Sequence, residues 1–196
     1  MAVTFLLIAF CFLLGSIPFG EVVGRIRGVD IRKVGSGNIG ATNVLRSLGK
    51  GPALLTLIGD IMKGTVAVAA ARYITGDPFI EGIAGLSSIA GHTFSVFLRF
   101  RGGKGVATAI GVLLIYAPVV GLATVTVWLV VVAATRYSSL GALVSFAVLP
   151  LTMYVLDGAR VKVIIAVLIA GLLIMRHAAN VRRLLKGTES RVGEKA

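Results

Sequence analysis

Seven apolar runs, at 3–23, 53–73, 79–98, 106–117, 119–135, 140–156 and 161–177, leave little of this chain to do anything but cross a bilayer. A helix needs about 20 apolar residues to span a hydrocarbon core of roughly 30 Å. The fourth run is short for that, so a tilted, sunken or re-entrant segment is expected there, ended by Pro118. With 57% hydrophobic and 14% charged residues in 196, the chain is too apolar for a soluble domain of its length. The expected fold is therefore all-α: a polytopic integral membrane protein of seven transmembrane helices in a single membrane-embedded domain over 1–196. The amino terminus lacks a basic n-region, and Pro18 and Glu21 stand where a signal cleavage site would fall, so the first run reads as a retained span.

The formal charge of +12 excludes less than it suggests. A nucleic-acid binder would not carry membrane-length apolar segments, so the charge reads as topology plus an anionic substrate, with no nucleic-acid partner. Sixteen of the twenty Lys and Arg fall in the first, third and fifth loops and the tail, Lys195 included, whereas Arg72, Arg160 and Lys162 lie near the opposite face beside Asp77, Glu81 and Asp157. The positive-inside rule then puts the amino terminus outside and the carboxyl terminus in the cytoplasm.

That topology brings the starts of spans two, four and six to the cytoplasmic mouth, each offering unpaired N–H groups and a partial positive charge. Gly51-Pro52, Gly103-Lys104-Gly105 and Ser138-Ser139 mark these starts. The stretch 91–105, GHTFSVFLRFRGGKG, ends an apolar run in cations and glycines, with Gly102, Gly103 and Gly105 able to let backbone N–H groups approach a phosphate held by Lys104. Arg99 and Arg101 fit either that grip or simple topology.

In the first loop, Gly35-Ser36-Gly37-Asn38-Ile39-Gly40-Ala41-Thr42-Asn43 formally matches G-x-G-x-x-G, but no βαβ unit surrounds it. Its donors, followed by Arg46, suit an oxyanion; a flexible interfacial loop is the alternative. Asp60 and Lys63 share a face of span two and read as an intramembrane ion pair. His92 reads equally as a packed or a catalytic histidine. His177 and Asn180 share a helical face beside Arg176, as a polar cluster or as an ordinary interfacial helix end.

Several arrangements are missing: no G-x-S-x-G elbow, no H-E-x-x-H, no histidine with an aspartate five residues on. Two histidines and the single Cys11, a packing residue of the first span, make no usual zinc site. A reaction without metal, cofactor or protein nucleophile is what remains.

These residues resemble a known family. GSIPFG at 15–20, GSGNIGATNVLR at 35–46, Asp60-x-x-Lys63-Gly64, GHTFSVFLRFRGGKGVATAIG at 91–111 and Arg176-His177-x-x-Asn180 are similar, in order along nearly the whole chain, to the bacterial acyl-phosphate:glycerol-3-phosphate acyltransferases, the PlsY family. The resemblance implies a cytoplasm-facing site in the bacterial inner membrane, where the 1-hydroxyl of sn-glycerol 3-phosphate attacks an acyl phosphate. Lysophosphatidic acid and inorganic phosphate would result. By motif match Ser36, Lys104, His177 and Asn180 would be catalytic. Gly35, Gly37, Asn38, Gly40, Thr42, Asn43, Arg46, His92, Gly102, Gly103, Gly105 and Ser139 would bind substrate, Ser139 on a short match. Acyl phosphate is an activated donor, so positioning and charge stabilisation could suffice. A transporter or flippase for an anionic solute or lipid is the rival reading, disfavoured by polar clusters that gather at one face without an internal repeat.

Overall fold

The computed structural model describes residues 1–194, so Lys195 lies outside the described residues. Ten α-helices and one 3-10 turn make up the regular structure, and no strand occurs among the described residues. The helices are α1 (Ala2–Ser16), α2 (Phe19–Ile26), α3 (Ala41–Leu48), α4 (Lys50–Thr75), α5 (Pro78–Thr93), α6 (Val106–Tyr116), α7 (Pro118–Thr135), α8 (Ser138–Leu156), α9 (Arg160–Arg176) and α10 (Ala178–Leu185), with the 3-10 turn at Val96–Leu98 between α5 and α6.

All seven apolar runs are helical, but they are not seven uninterrupted spans. Four stretches are long and apolar enough to cross a membrane: Ala2–Ile26, Lys50–Thr75, Pro118–Thr135 and Ser138–Leu156. A fifth forms if α9 and α10, which meet at 56°, count as one bent span. The reasons for the breaks are local. Pro18 has no N–H to give and separates α1 from α2. The third run stops at Thr93, where Phe94 leaves the helix before the 3-10 turn. α6 has only 11 residues, about 16 Å of helix, and ends at Ala117, which leaves the helical region (φ -148°, ψ 82°) as a following proline favours; Pro118 then opens α7 at its first turn.

α4 and α5 form the centre, α4 packed on α1, α2, α3, α5 and α6 and α5 on α1, α4, α6 and α9, while α7 and α8 pair on each other at the far side of α6 and α9. The largest core cluster joins α4, α5, α6, α8 and α9 through Val68, Ile89, Val112, Leu113, Phe146, Leu149, Ile165 and Ile169. In lipid, close backbone approach rather than water exclusion drives helices together. The α4–α6 contact is built that way: a Cβ on Gly64 would strike the Thr108 carbonyl and one on Gly111 the Ile61 carbonyl. Large apolar side chains such as Phe5, Leu55, Leu122, Leu151 and Val167 face outward instead, as lipid-facing residues do.

The two ends of the bundle differ in charge. At one end Arg72 bonds Glu81 at 2.8 Å and the Ile115 carbonyl, Lys162 bonds Asp157 at 2.7 Å, and Asp77 caps α5 by accepting the Phe79 N–H. The opposite end gathers most of the remaining cations and holds the candidate site.

Candidate active site

The first loop is folded around Asn43. Its side-chain oxygen accepts the Ser36 N–H at 2.9 Å, and its amide donates to the Ile31 and Val34 carbonyls at 3.0 and 3.1 Å. Being 1% exposed, Asn43 is the staple of the loop, facing inward rather than toward the mouth. Gly35 and Gly37 take positive φ of 55° and 67°, which lets the chain reverse there. Ser36 and Gly35 are exposed, Gly37, Asn38 and Gly40 half-buried; Gly40 opens α3, and the Ser36 hydroxyl bonds no described residue. Thr42, at the start of α3, reaches the Ser138 hydroxyl at 3.2 Å and so ties that loop to the N-terminus of α8.

Behind the second glycine stretch lies a buried trio. Lys63 Nζ sits 2.8 Å from Asp60 Oδ1, 2.7 Å from His92 Nδ1 and 3.0 Å from the Ile17 carbonyl that Pro18 leaves at the end of α1. Asp60, Lys63 and His92 are 2%, 2% and 4% exposed, so the expected ion pair exists and His92 belongs to it. His92 also shapes the glycines. Its carbonyl accepts the Gly103 N–H at 3.0 Å and the Thr93 carbonyl accepts that of Gly102 at 3.1 Å, while a Cβ on Gly102 or Gly103 would collide with His92.

This changes the role expected of those glycines. The N–H groups of Gly102 and Gly103 point back to α5 and are already paired, so they are not the donors facing a ligand. Those fall one turn later, where Gly105, at φ 85°, starts α6 and the first helical N–H groups have no partner within the helix. Lys104 stands at that helix start. Burial pushes its ammonium down to about 8; Glu189 pulls it back up, and Arg183, Arg46 and Arg176 push it down further.

Glu189 is the centre of a cluster that sequence reasoning missed. Its Oε1 accepts the Ser139 hydroxyl and the Asn180 amide, both at 2.6 Å, and its Oε2 accepts Arg183 Nε at 2.7 Å. Burial alone would raise this carboxyl, but those three hydrogen bonds and the Arg183 charge hold it below the ordinary range. Arg46 reaches the same tail, donating to the Ser190 carbonyl at 2.8 Å. Residues 188–194 thus fold back across the mouth, with Arg136 exchanging bonds with Val192. Nothing in the spacing of GTESRVGEKA announces this, since the tail carries no motif and its bonds reach back to α3, α8 and α10.

His177 is the hinge that ends α9 and is the N-cap of α10, so the i, i+3 pair His177 and Asn180 belongs to the first turn of α10 and not to the last span itself. Its Nδ1 lies 2.7 Å from the Leu173 carbonyl. A carbonyl only accepts, so Nδ1 carries the hydrogen and Nε2 keeps a lone pair. Arg176 leans toward the Gly102 and Gly103 carbonyls at 3.5 and 3.4 Å. Lys104, Arg46, Ser139, Asn180, Arg176, Arg183 and Glu189 therefore meet, with Thr42 beside them. Ser36 and Asn38 make no bond to this cluster, and Arg99 and Arg101 line a different cavity.

Arg46 Nε, Arg176 Nε and Asn180 Oδ1 are buried with no hydrogen-bond partner among the described residues. Three orphaned polar atoms in one cationic mouth are the mark of a place shaped for a polar ligand, because each unpaired buried group costs about 1–3 kcal/mol. The fold and this mouth define a helical integral membrane protein with a cationic, donor-rich cluster at one end of its bundle. The comparisons place it further: the glycerol-3-phosphate acyltransferase family model matches residues 5–187, and the chain belongs to that family. A glycerol-3-phosphate acyltransferase from Aromatoleum aromaticum is 51% identical over 189 residues, 96% of each chain. One from Rubrobacter xylanophilus is 46% identical over 96% of this chain and 94% of its own. The fold is similar to crystal structures of PlsY (YgiH), an integral membrane glycerol 3-phosphate acyltransferase. Its glycerol 3-phosphate form has a TM-score of 0.92 and 42% identity over 97% of this chain and 96% of that one. Its lysophosphatidic acid form has a TM-score of 0.89 and 40% identity over 96% and 95%.

Proposed function

We propose that the protein transfers an acyl group from acyl phosphate to the 1-hydroxyl of sn-glycerol 3-phosphate, giving 1-acyl-sn-glycerol 3-phosphate and inorganic phosphate. The observation that carries this is the orphaned, cationic mouth around Lys104, which suits two phosphate-bearing substrates. A structure with glycerol 3-phosphate and one with lysophosphatidic acid, substrate and product of such a reaction, exist for the relative.

The choice of donor rests on what the site does not pair. His92 bonds Lys63 and His177 bonds the Leu173 carbonyl, so among the described residues neither histidine bonds a hydroxyl or thiol. A covalent mechanism wants such a nucleophile–base pair. Acyl phosphate removes the need, because its leaving group is already good. The 1-hydroxyl oxygen attacks the acyl carbonyl carbon and the bond from that carbon to the phosphate oxygen breaks. The hydroxyl proton leaves with the phosphate, directly or by way of His177 Nε2. Lys104 and Arg46 hold phosphate, the start of α6 supplies further donors, and Asn180, Ser139 and Ser36 orient the acceptor and the reacting carbonyl.

The whole chain acts as one membrane-embedded domain in the bacterial inner membrane. With seven spans the amino terminus lies outside, and the tail and site face the cytoplasm; α5, the short α6 and the bent α9–α10 pair bring the four long stretches to that count. The test is phosphate and product release from purified enzyme in detergent with glycerol 3-phosphate and, in turn, acyl phosphate, acyl-CoA and acyl carrier protein. Turnover with acyl phosphate alone is expected. Turnover only with a thioester would refute the donor, and no turnover with any of the three would refute the enzyme reading.

A further inference from the structure

A second cationic cavity lies away from the Lys104 cluster, between the α1–α2 break, the first loop and the 3-10 turn. About 440 Å³ in volume, it is lined by Arg25, Arg32, Phe97, Leu98, Arg99 and Arg101. An apolar groove of about 340 Å³, lined chiefly by Ile17, Pro18, Val22, Phe97 and Leu98, continues from it, since both share Arg25, Phe97 and Leu98. We propose that cavity and groove together bind one acidic phospholipid, the headgroup phosphate among the arginines and the start of an acyl chain along the groove.

Charge carries the first part of the argument. Arg25 is matched by Glu21 at 3.0 Å, but Arg32, Arg99 and Arg101 have no carboxylate within 4.0 Å among the described residues. Asp30, the acid nearest in sequence, is taken by Lys33 at 3.3 Å and by the Arg32 backbone N–H. Three guanidinium groups therefore line one cavity with nothing of the chain's own to neutralise them. A planar guanidinium matches phosphate oxygens in pairs, which a single diffuse surface charge does not.

Glu21 carries the second part. It is 6% exposed, lines the groove, and while Oε1 binds Arg25, Oε2 is buried with no partner. Glu21 bonds Arg25, the arginine that cavity and groove share, and an orphaned acceptor at that junction fits a headgroup that is anionic at its phosphate and carries hydroxyls beyond it, as phosphatidylglycerol does. The backbone is committed to this arrangement as well. Arg99 and Phe100 both take left-handed conformations, at φ 51° and 62°, a geometry that non-glycine residues rarely adopt, and the turn is held by Phe100 N–H to the Ser95 carbonyl at 2.8 Å. Phe97, which lines both cavity and groove, is 63% exposed, and Ile26 and Phe100, next in sequence to Arg25 and to Arg99 and Arg101, are 77% and 63% exposed, which suits lipid and not a soluble anion.

Native mass spectrometry of the full-length protein in detergent, titrated with phosphatidylglycerol and with phosphatidylcholine of the same chains, reads this out. At least one phosphatidylglycerol is expected to be retained, with at least tenfold preference over phosphatidylcholine. The triple variant Arg32→Gln, Arg99→Gln, Arg101→Gln should lose that preference, whereas Lys104→Ala should keep it. Equal retention of the two lipids by the unaltered protein, which needs no variant to fold, would overturn the proposal. So would loss of retention in Lys104→Ala, which would put the lipid in the active site, or displacement by inorganic phosphate at the lipid's own concentration, which would make this a site for the free anion. Because lipid retention needs no turnover, failure here leaves the acyltransferase reading standing.

Discussion

Lys104 is a cation whose charge the fold keeps close to the balance point. Its ammonium is pushed down to about 8 by burial first, so it is protonated at neutral pH and loses its charge as the pH rises through that value. The sign for function follows directly. An anion held by Lys104 loses one attractive charge above about pH 8, so kcat/KM for glycerol 3-phosphate should fall between about pH 7 and pH 9, a profile that reports the free enzyme. Lys104→Arg, which stays charged throughout, should flatten that limb while running more slowly, since a guanidinium does not sit where an ammonium did. Lys104→Ala should lower turnover by about 10²- to 10³-fold, the scale of one lost oxyanion donor. Steady-state kinetics across pH with folded, monodisperse protein measures all three. Glu189 invites the complementary change. Held low by Ser139, Asn180 and Arg183, its charge is present above its unfolded pKa and is lost as pH falls through its lowered value, and the tail clasp should loosen with it. Glu189→Gln keeps the shape and removes the charge-assisted bond to Arg183. It should weaken the clasp by about 1.5–3 kcal/mol, read as faster proteolysis within 188–194 and a fall in kcat. Lys104, Arg46 and Asn180 could be singled out because motifs carry them, and Ser139 on a shorter match. Glu189, Arg183 and the orphaned atom of Arg176 were not, because their meaning comes from a return of the chain that no local pattern encodes.

Elements show the same division. Each apolar run in the sequence became helix, since in lipid the backbone must pair with itself and a run of apolar residues has no other way to do so. The lengths were less legible. That Pro18 and Pro118 interrupt helices is elementary, yet what each break serves is visible only in three dimensions: the Ile17 carbonyl left at the Pro18 break becomes a ligand of Lys63. The Asp60-x-x-Lys63 spacing predicted a pair on one face of α4, and His92 joins it from α5, a contact between helices that spacing within one helix cannot announce. This trio stands directly behind the glycines that precede Lys104. Removing one member leaves the others' charge buried and unmatched, a loss of about 3–5 kcal/mol. Lys63→Met should therefore unfold at markedly lower temperature than the unaltered protein, whereas the double change Asp60→Leu, Lys63→Met should recover most of the difference. Thermal unfolding in one detergent, all variants side by side, decides it; equal destabilisation of the single and double variants would remove the buried pair as the cause.

At the scale of the whole molecule the decisive property is an asymmetry of compensation. One end of the bundle pairs two of its three cations, Arg72 on Glu81 and Lys162 on Asp157, with Asp77 spent on a helix cap and only Arg160 in no salt bridge among the described residues. The other end leaves Lys104, Arg32, Arg99 and Arg101 without a carboxylate in salt-bridge range among the described residues, and those groups are free to meet anions from outside the chain. Counting cations along the sequence gave a direction for the chain but could not separate matched from unmatched charges, because Arg72 finds Glu81 on another helix and Arg183 finds Glu189 only where the tail turns back. An enzyme of this kind should turn its uncompensated end to the compartment that holds a soluble phosphate ester. The orientation can be measured, because Cys11 is the only cysteine and is buried. With Cys11→Ser as background, Ala159→Cys places a thiol on the exposed turn at the compensated end, and Thr188→Cys one on the exposed tail. A membrane-impermeant maleimide added to intact spheroplasts should label the first and spare the second until the membrane is opened. Labelling in the reverse order would turn the molecule over and place the phosphate site on the wrong side for a cytoplasmic substrate. Labelling of both before opening would mean that α9 does not carry the chain from one face to the other.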